Sequence, residues 1–489
     1  MVHTSASGDK GVGLGYWMQA VLDLSARVAG DFSSDPVHDL RTALRRCRSL
    51  ADGIRAFDPD PAWKKMRRSG KQLFSSLGNL RDIHVMLDWV GKLSSSHDLV
   101  SKDLGAFLSA EEEKAKTAAT VALAHFDRKQ WKVWASVLPR RAARITIDSP
   151  IFAHLALERW QQAHELHRQA LRNRSRVGFH RLRIGLKRLR YTLENFLPRL
   201  YGGWGEDLKQ LQDLLGDVHD LDVLWQAAVR VKVFRDSETR ERWHTRVQEE
   251  RSRRLEGYRQ KMLGVQSCWP VWRSSLPAPD QLRSLSLERL RTWASFLDTN
   301  TSHAEHVAQL ATQLYDGLPA AGILHGRSQW NKYRDILRAA AYMHDVGRSK
   351  SNRGHHKQSA RLIRRLVPPL SWSADEIHAT AAVVRYHRGA LPRDTHTKFA
   401  ALSPSKQRLV EYLAGILRLA CACDWQRDNQ IRRVSVEAAQ PVVKIRAEGY
   451  REYTALAEHL AAARHLLELA CQCPVFIVPL DGGGQTHAA

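Results

Sequence analysis

His38-Asp-Leu-Arg-Thr-Ala-Leu-Arg-Arg-Cys-Arg48 returns further along the chain as His180-Arg-Leu-Arg-Ile-Gly-Leu-Lys-Arg-Leu-Arg190. At about 100° per residue, His38, Arg41, Arg45 and Arg48 fall within about 80° of helical arc, and Leu40, Leu44 and Cys47 occupy the neighbouring sector. The second copy repeats the arrangement, with His180, Arg183, Lys187 and Arg190 beside Leu182, Leu186, Leu189 and Leu193. Two amphipathic helices follow, each carrying its stripe over roughly 15 Å at about 1.5 Å per residue. Solvated helix faces normally mix signs, with Glu four residues ahead of Lys. These stripes do not mix signs, and the repulsion is kept in both copies. That argues for an anionic ligand with several consecutive charges.

Working outward, Lys71-Gln-Leu and Leu77-Gly-Asn-Leu-Arg-Asp-Ile-His-Val-Met-Leu87 return as Lys209-Gln-Leu and Leu215-Gly-Asp-Val-His-Asp-Leu-Asp-Val-Leu224. Order and approximate spacing match, as expected of an internal duplication. The first half therefore reads as two copies of one helical unit, 15–140 and 150–265. Each has a lead helix, the basic helix, and a helix ending near a Leu-Gly turn. Pro270, Pro277 and Pro279, with nearby serines, mark a linker over 266–284. Beyond it His303 opens an apolar-periodic helix, and His344-Asp345 closes another. His355, His356 and His387 follow among Arg348, Arg353, Lys357, Arg385 and Arg388. Separated His and His-Asp sets suit divalent ions that activate water for attack on phosphorus.

With 489 residues the chain holds two to four domains, and 43% hydrophobic with 26% charged residues excludes disorder over most of it. A net charge of +24, carried by both halves, attracts polyanions: nucleic acid, an anionic membrane surface or a phosphate polymer. No apolar run approaches the roughly 18–20 residues of a membrane span, and the N-terminus is polar. The expectation is a cytoplasmic protein without a membrane partner. Six cysteines fit a reducing compartment. The pairs Cys421/Cys423 and Cys471/Cys473 lie in apolar helical stretches and read as small hydrophobes rather than zinc thiolates.

The duplicated segments resemble the halves of a CHAD domain, the conserved-histidine α-helical domain, over roughly 15–265, including both Leu-Gly segments with Asp82 and Asp220. The resemblance implies inorganic polyphosphate bound in a basic channel between two antiparallel helical halves. Its ligands would be His38, Arg41, Arg45, Arg48 and Lys71 from one half, and His180, Arg183, Lys187, Arg190 and Lys209 from the other. CHAD domains often accompany a triphosphate-tunnel domain with an alternating Glu-x-Glu-x-Lys strand. The sequence has no such strand, so a tunnel triphosphatase is not expected.

His303-Ala-Glu-His-Val-Ala, Met343-His-Asp-Val-Gly347, Gly354-His-His-Lys-Gln-Ser-Ala360, Val384-Arg-Tyr-His-Arg-Gly389 and Leu417-Arg-Leu-Ala420 are similar to the HD superfamily. The closer likeness is to the C-terminal helical domain of the exopolyphosphatase and guanosine pentaphosphate phosphohydrolase family, without that family's actin-like catalytic domain. It implies an HD-type helical domain over 285–432 and a small α+β extension over 433–480, with β runs at Val442–Ile445 and Val475–Val478. His303, His344 and Asp345 would hold a divalent ion (Mn, Mg or Fe). Relatives close that set with an aspartate after Leu-Ala; here Cys421 follows Ala420, and Asp424 is the substitute. His355, His356, His387 and Arg388 would border a phosphate or second-metal pocket. The expected architecture is mainly α: duplicated antiparallel helical bundles, then a helical HD domain with the α+β extension. The expected function is polyphosphate binding with an accessory HD domain, at polyphosphate granules. The alternative is a metal-dependent phosphohydrolase acting on polyphosphate or a phosphorylated nucleotide, which leaves enzyme status open. Nucleic acid ranks lower, because apart from Tyr191 the stripes hold almost no aromatic surface for base stacking.

Overall fold

The computed structural model describes residues 13–94, 98–318, 327–439 and 442–480. The polar N-terminal octapeptide lies outside them. Helix α1 (Leu14–Val28) buries Leu14, Met18, Val21 and Val28 against α2 (Ser34–Ile54), which carries the first basic stripe. On α2 the buried set is Leu40, Leu44, Cys47 and Leu50, the apolar sector expected from helical spacing. The first copy continues through α3 (Pro61–Ser69), α4 (Lys71–Leu93), α5 (Leu99–Ala124) and α6 (Arg128–Ala142). Asp60 caps α3 by accepting from Ala62 N–H, with Pro61 in the first turn, where its missing donor costs nothing. The second copy comprises α7 (Pro150–Asn173), α8 (Arg176–Phe196), α9 (Pro198–Val231) and α10 (Ser237–Met262). Ser175 caps α8, whose Leu182, Leu186, Leu189 and Leu193 are buried.

Two expectations are corrected here. Leu77-Gly78 and Leu215-Gly216 mark no turn, because both lie inside helices, α4 and α9. At Gly78 the reason is side-chain room: a Cβ there would stand 2.5 Å from Arg41 Nη1. Nor is 266–284 a free linker. Residues Cys268–Ser274 form α11, with Trp269 and Trp272 buried and Trp272 stacked on Trp204 at 5.5 Å. Pro270 sits in that helix's first turn, where proline is tolerated. The division between the two units falls between Pro279 and Asp280.

The second unit packs α12 (Leu282–Ser295), α13 (Thr301–Gly317), α14 (Arg327–Met343), α15 (His355–Ile363), α16 (Ala374–Tyr386), α17 (Thr397–Ala400) and α18 (Pro404–Cys423) about one core. Helix α18 is buried nearly all round, and Gly415 lets it meet a later helix closely: a Cβ there would lie 2.8 Å from Leu467 Cα. Strands β1 (Arg433–Ala439) and β2 (Val442–Glu448) are followed by α19 (Ala455–Ala463), α20 (His465–Cys471) and β3 (Val475–Pro479). The sheet order is β1-β2-β3, β1 antiparallel to β2 and β3 parallel to it, with Ile445 opposite both Val436 and Ile477. The fold is thus mainly α with one small sheet. No helix among the described residues is long and apolar enough to cross a membrane, and all six cysteines are free.

In the first unit, fully buried Asp58 accepts from Trp63 Nε1 at 2.8 Å and from Arg141 Nε and Nη2 at 2.7 Å each, tying α6 to the entry of α3. Arg141→Met leaves that carboxylate without its countercharge. The expected loss is about 3–5 kcal/mol in urea unfolding followed by circular dichroism; an unchanged transition would show that the pair contributes nothing.

Candidate functional site

Helices α2, α4, α8 and α9 enclose a cavity of about 520 Å³ in the first unit. His38, Arg41, Arg45, Arg183, Lys187, Arg190 and Lys209 line it. Arg48, Lys71 and His180, the other three expected from sequence, do not. Arg48 donates to the Arg67 carbonyl at 3.0 Å and borders a separate cavity of about 170 Å³. Lys71 is exposed in the first turn of α4, just past the helix break at Gly70, whereas its counterpart Lys209 lies within unbroken α9. His180 packs against the His219 ring, with centroids 4.8 Å apart.

Arg46, Arg81 and Tyr191 also line the cavity. The register that pairs Lys71 with Lys209 pairs Arg81 with His219 and Asp82 with Asp220, so the duplication held a signal for them. The stripes are also less isolated from acid than their own helices indicate. Glu194, one turn past Arg190, accepts from Arg46 at 2.5 Å, while Asp82, Asp213, Asp217 and Asp220 arrive from α4 and α9. Eight Arg and Lys against five carboxylates leave the lining at a formal +3. Arg41 Nη1, Arg45 Nε and Arg183 Nε are buried with no hydrogen-bond partner among the described residues. Such donors call for an acceptor from outside the protein.

Burial and mutual repulsion tune this lining. Burial, then Arg183, Arg45 and Arg41, bring the Lys187 ammonium down to about 7. Burial carries the Asp220 carboxyl up to about 6 against the pull of Arg183. Asp82 is raised and His38 lowered, each chiefly by burial. Both changes weaken the charged form of a group in a poorly hydrated site.

The second unit holds a cavity of about 270 Å³. His303 enters from the first turn of α13, His344 and Asp345 from the end of α14, His355 from the start of α15 and His387 from the end of α16. The His344 ring centroid is 5.2 Å from those of both His303 and His387. Ligand atoms of His303, His344 and Asp345 lie within 4.8 Å of one another, and so do those of Asp345, His355 and His387. Every imidazole in these sets engages Nδ1: His303 with Asp424 Oδ2 (2.6 Å), His344 with the Ala341 carbonyl (2.7 Å), His355 with that of Asn352 (3.1 Å) and His387 with that of Val384 (2.7 Å). Acceptors there place the proton on Nδ1 and the lone pair on Nε2. His355 Nε2 consequently meets Asp345 Oδ1 at 3.1 Å, lone pair against lone pair. A cation shared by the two would relieve that contact. Burial lowers His355 and His387, keeping them neutral as metal ligation requires.

Asp345 is buried, which alone would raise its pKa, but the positive charge of Arg348 beside it helps hold it well below the usual carboxylate range. Arg348 Nε donates to its Oδ2 at 2.6 Å, and Arg427 Nη2 donates to the same oxygen. Gly347 after the His-Asp pair has a steric cause: a side chain would collide with the His355 carbonyl and the Ser359 backbone. Ser359 in turn donates to His344 O and accepts from Gly347 N. Asp424, expected as the closing ligand, belongs to neither donor set; it accepts from His303 Nδ1 and from Asn429 N at 2.9 Å. The cause is the end of α18 at Cys423, after which Asp424 leaves helical geometry at φ −125° and ψ 39°. It positions His303. Cys421 and Arg388 line the cavity, and His356 does not, standing behind His355 at 5.8 Å between ring centroids. Arg418, Trp425, Arg427 and His459 complete the lining without a sequence signal, reaching it from late in α18, the loop that follows and α19.

A duplicated basic helical unit followed by a His-Asp-lined bundle defines a two-domain class consistent with a polyphosphate-related function. Its domains are a CHAD domain, whose family model matches residues 17–229, and a Ppx/GppA phosphatase domain III, whose model matches residues 282–466. A similar solved structure is the CHAD domain from the plant Ricinus communis, at 22% identity over 53% of this chain and 88% of that one, with a TM-score of 0.37. No curated protein matches the chain.

The first cavity predicts a pH dependence with a definite sign. As pH falls from 8 to 5, Lys187 gains its proton near 7 and Asp220 loses its charge near 6, so the lining becomes more positive. Affinity for long-chain polyphosphate, whose interior phosphates keep one charge each over this range, should rise toward acid when titrated calorimetrically, and Lys187→Met with Asp220→Asn should flatten the profile. A wild-type profile that weakens toward acid would contradict this electrostatic account.

Proposed function

We propose that the first unit binds inorganic polyphosphate along its α2/α8 cavity. What supports this most is the convergence of cations from both copies, with buried guanidinium N–H groups left without protein acceptors. Guanidinium groups are permanently charged and grip phosphate oxygens through paired hydrogen bonds. Nucleic acid is disfavoured by the same lining, since Tyr191 lies under the Arg45 guanidinium at 5.7 Å and is not a free stacking platform.

The second unit supports a further reading, a metal-dependent phosphohydrolase of HD type acting on polyphosphate or a phosphorylated nucleotide. His303, His344 and Asp345, with His355 and His387, fit a divalent ion through their Nε2 lone pairs and one carboxylate. Imidazole-rich donors favour Fe over Mg, which prefers oxygen. A divalent ion, when bound, supplies a Lewis acid and a nucleophilic water. The chain's own contribution is to fix the imidazole tautomers, hold Asp345 ionised between Arg348 and Arg427, and line the mouth with Arg388.

Two measurements test these readings separately. Arg45→Glu with Lys187→Glu should weaken long-chain polyphosphate binding on the order of 100-fold or more, with circular dichroism unchanged; retained binding sinks the proposal, and unfolding would assign the pair a structural role. Binding should also fall steeply with salt as counterions are released. For the second unit, purified protein should carry Fe or Mn by elemental analysis. His344→Ala should abolish it, and Asp424→Asn should weaken it roughly 10–100-fold through His303. Metal retained by His344→Ala would overturn the assignment.

A further inference from the structure

The two copies of the first unit differ where their third and fourth matching helices pack. Between α9 and α10 the second copy is filled: Arg254 donates to Asp217 at 2.7 Å and lies 5.9 Å from the centre of the Trp89 ring, which reaches in from α4. Leu214 closes on Gly257, where a Cβ would stand 3.3 Å from it. The repeat that pairs Lys71 with Lys209 pairs Ser76 with Leu214, Asn79 with Asp217 and Trp89 with Ala227. Helices α5 and α10 match with Leu104 and Leu108 on Trp243 and Val247, all buried, which sets Ala115 against Arg254 and Ala118 against Gly257. The same register carries the contact of His84 with Glu112 at 3.3 Å onto the ion pair of Asp222 with Arg251 at 3.1 Å. Arg254, Asp217 and Trp89 around one interface are therefore Ala115, Asn79 and Ala227 around the other. Where the larger side chains are missing, α4, α5 and α9 border a cavity of about 430 Å³, with Ile83, Met86, Phe107 and Leu108 on its apolar side.

Native interiors leave few voids larger than a water molecule, and apolar walls with a few polar groups are the form of a small-molecule site. The charged groups here are mostly engaged. Glu111 accepts from Lys114 at 2.7 Å, and Asp82 is shared with the basic cavity of α2 and α8, whose Arg41, Arg183 and Lys187 interact with its charge. Arg230 is different: it lines the cavity, is exposed, and has no hydrogen bond, ion pair or ring contact among the described residues. Its counterpart Lys92 sits over the Trp89 ring at 4.9 Å, whereas Arg230 has Ala227 in that ring's place. We propose that this cavity takes a small aromatic anion, a ring system the size of an indole carrying one acidic group. The ring occupies the room that Trp89 fills at the other interface, and the acidic group meets Arg230. Burial of a ring and a guanidinium paired with an acid both favour such a ligand. A polyphosphate has no ring to bury there, and an aromatic cation would be repelled by Arg230. The site is separate from the His-Asp cavity and shares with the basic cavity only Asp82.

The test titrates the full chain calorimetrically with naphthoate, with naphthylmethylammonium as the same ring of opposite charge and acetate as the acid without the ring. Naphthoate should bind roughly tenfold or more tightly than either. Ala227→Trp, which rebuilds the packing of the other interface, should abolish that binding with circular dichroism unchanged. Arg230→Met, at an exposed position, should bring naphthoate down to the affinity of the ammonium probe. No naphthoate binding by the wild-type chain, or equal affinities for the three probes, would leave only an unfilled packing gap and overturn the proposal. Undiminished binding by Ala227→Trp would place the probe elsewhere and overturn it too. If Ala227→Trp does not fold, Arg230→Met decides the matter, because an unchanged preference for naphthoate in that variant rules the site out.

Discussion

Repulsion among Arg41, Arg45, Arg183 and Lys187 is the constraint around which the first unit is arranged. Four basic groups from α2 and α8 share one cavity, and burial makes the charged forms of Arg41 and Lys187 more costly. The protein answers with carboxylates from the two facing helices, but it does not neutralise the site. Asp82 and Asp220 are themselves buried enough to resist ionisation, so they moderate the field without closing the cavity with ion pairs. The leucine faces of α2 and α8 supply the opposing stabilisation, with Leu40, Leu44, Leu182 and Leu186 fully buried directly behind the stripes. At roughly 25 cal/mol per Å² of apolar surface removed from water, that packing can hold the cations in place before any ligand arrives.

The second unit solves a different problem, the orientation of imidazoles. Each of the four sits at or near a helix end, where a free backbone carbonyl, or in one case Asp424, takes the Nδ1 proton. The last turns of α14 and α16 leave just such unpaired carbonyls for His344 and His387. The loop after α18 then contributes twice, once through Asp424 to His303 and once through Arg427 to Asp345. One short segment thereby links the outer members of the donor set.

What the sequence made legible was whatever helical period or duplication could carry. The apolar sector of α2 and α8 and the stripe positions Arg41, Arg45, Arg183 and Lys187 follow from spacing and repeat, whereas the meeting of His303 with His344-Asp345 was implied by the likeness to the HD superfamily. Position within a repeat did not settle everything. Arg48 and Arg190 are equivalent in sequence, yet Arg190 lines the cavity and donates to Gln212 on α9, while Arg48 turns to the Arg67 carbonyl. The break at Gly70 likewise separates Lys71 from its twin Lys209. Leu-Gly looked like a turn because glycine serves both turns and close approaches, and only the nearby Arg41 distinguishes the two at Gly78. Asp424 was expected as the closing metal ligand and not as a carboxylate on Nδ1 of His303, since that depends on where α18 ends.

Both cavities use burial to weaken a base, and the consequences differ with what lies alongside. Around Lys187 the neighbours are cations and carboxylates whose pKa burial raises, so an arriving polyanion would meet groups able to take up protons. Around His387 the neighbours are other imidazoles and a carboxylate already held ionised by arginines. Protonating that set would oppose its use as ligands, because a lone pair given to a proton is lost to a metal. On the proposed readings, acid would strengthen the first cavity's hold on phosphate and erode the second cavity's donor set. Two sites on one chain, built from the same basic and imidazole side chains, are driven in opposite directions by the same proton.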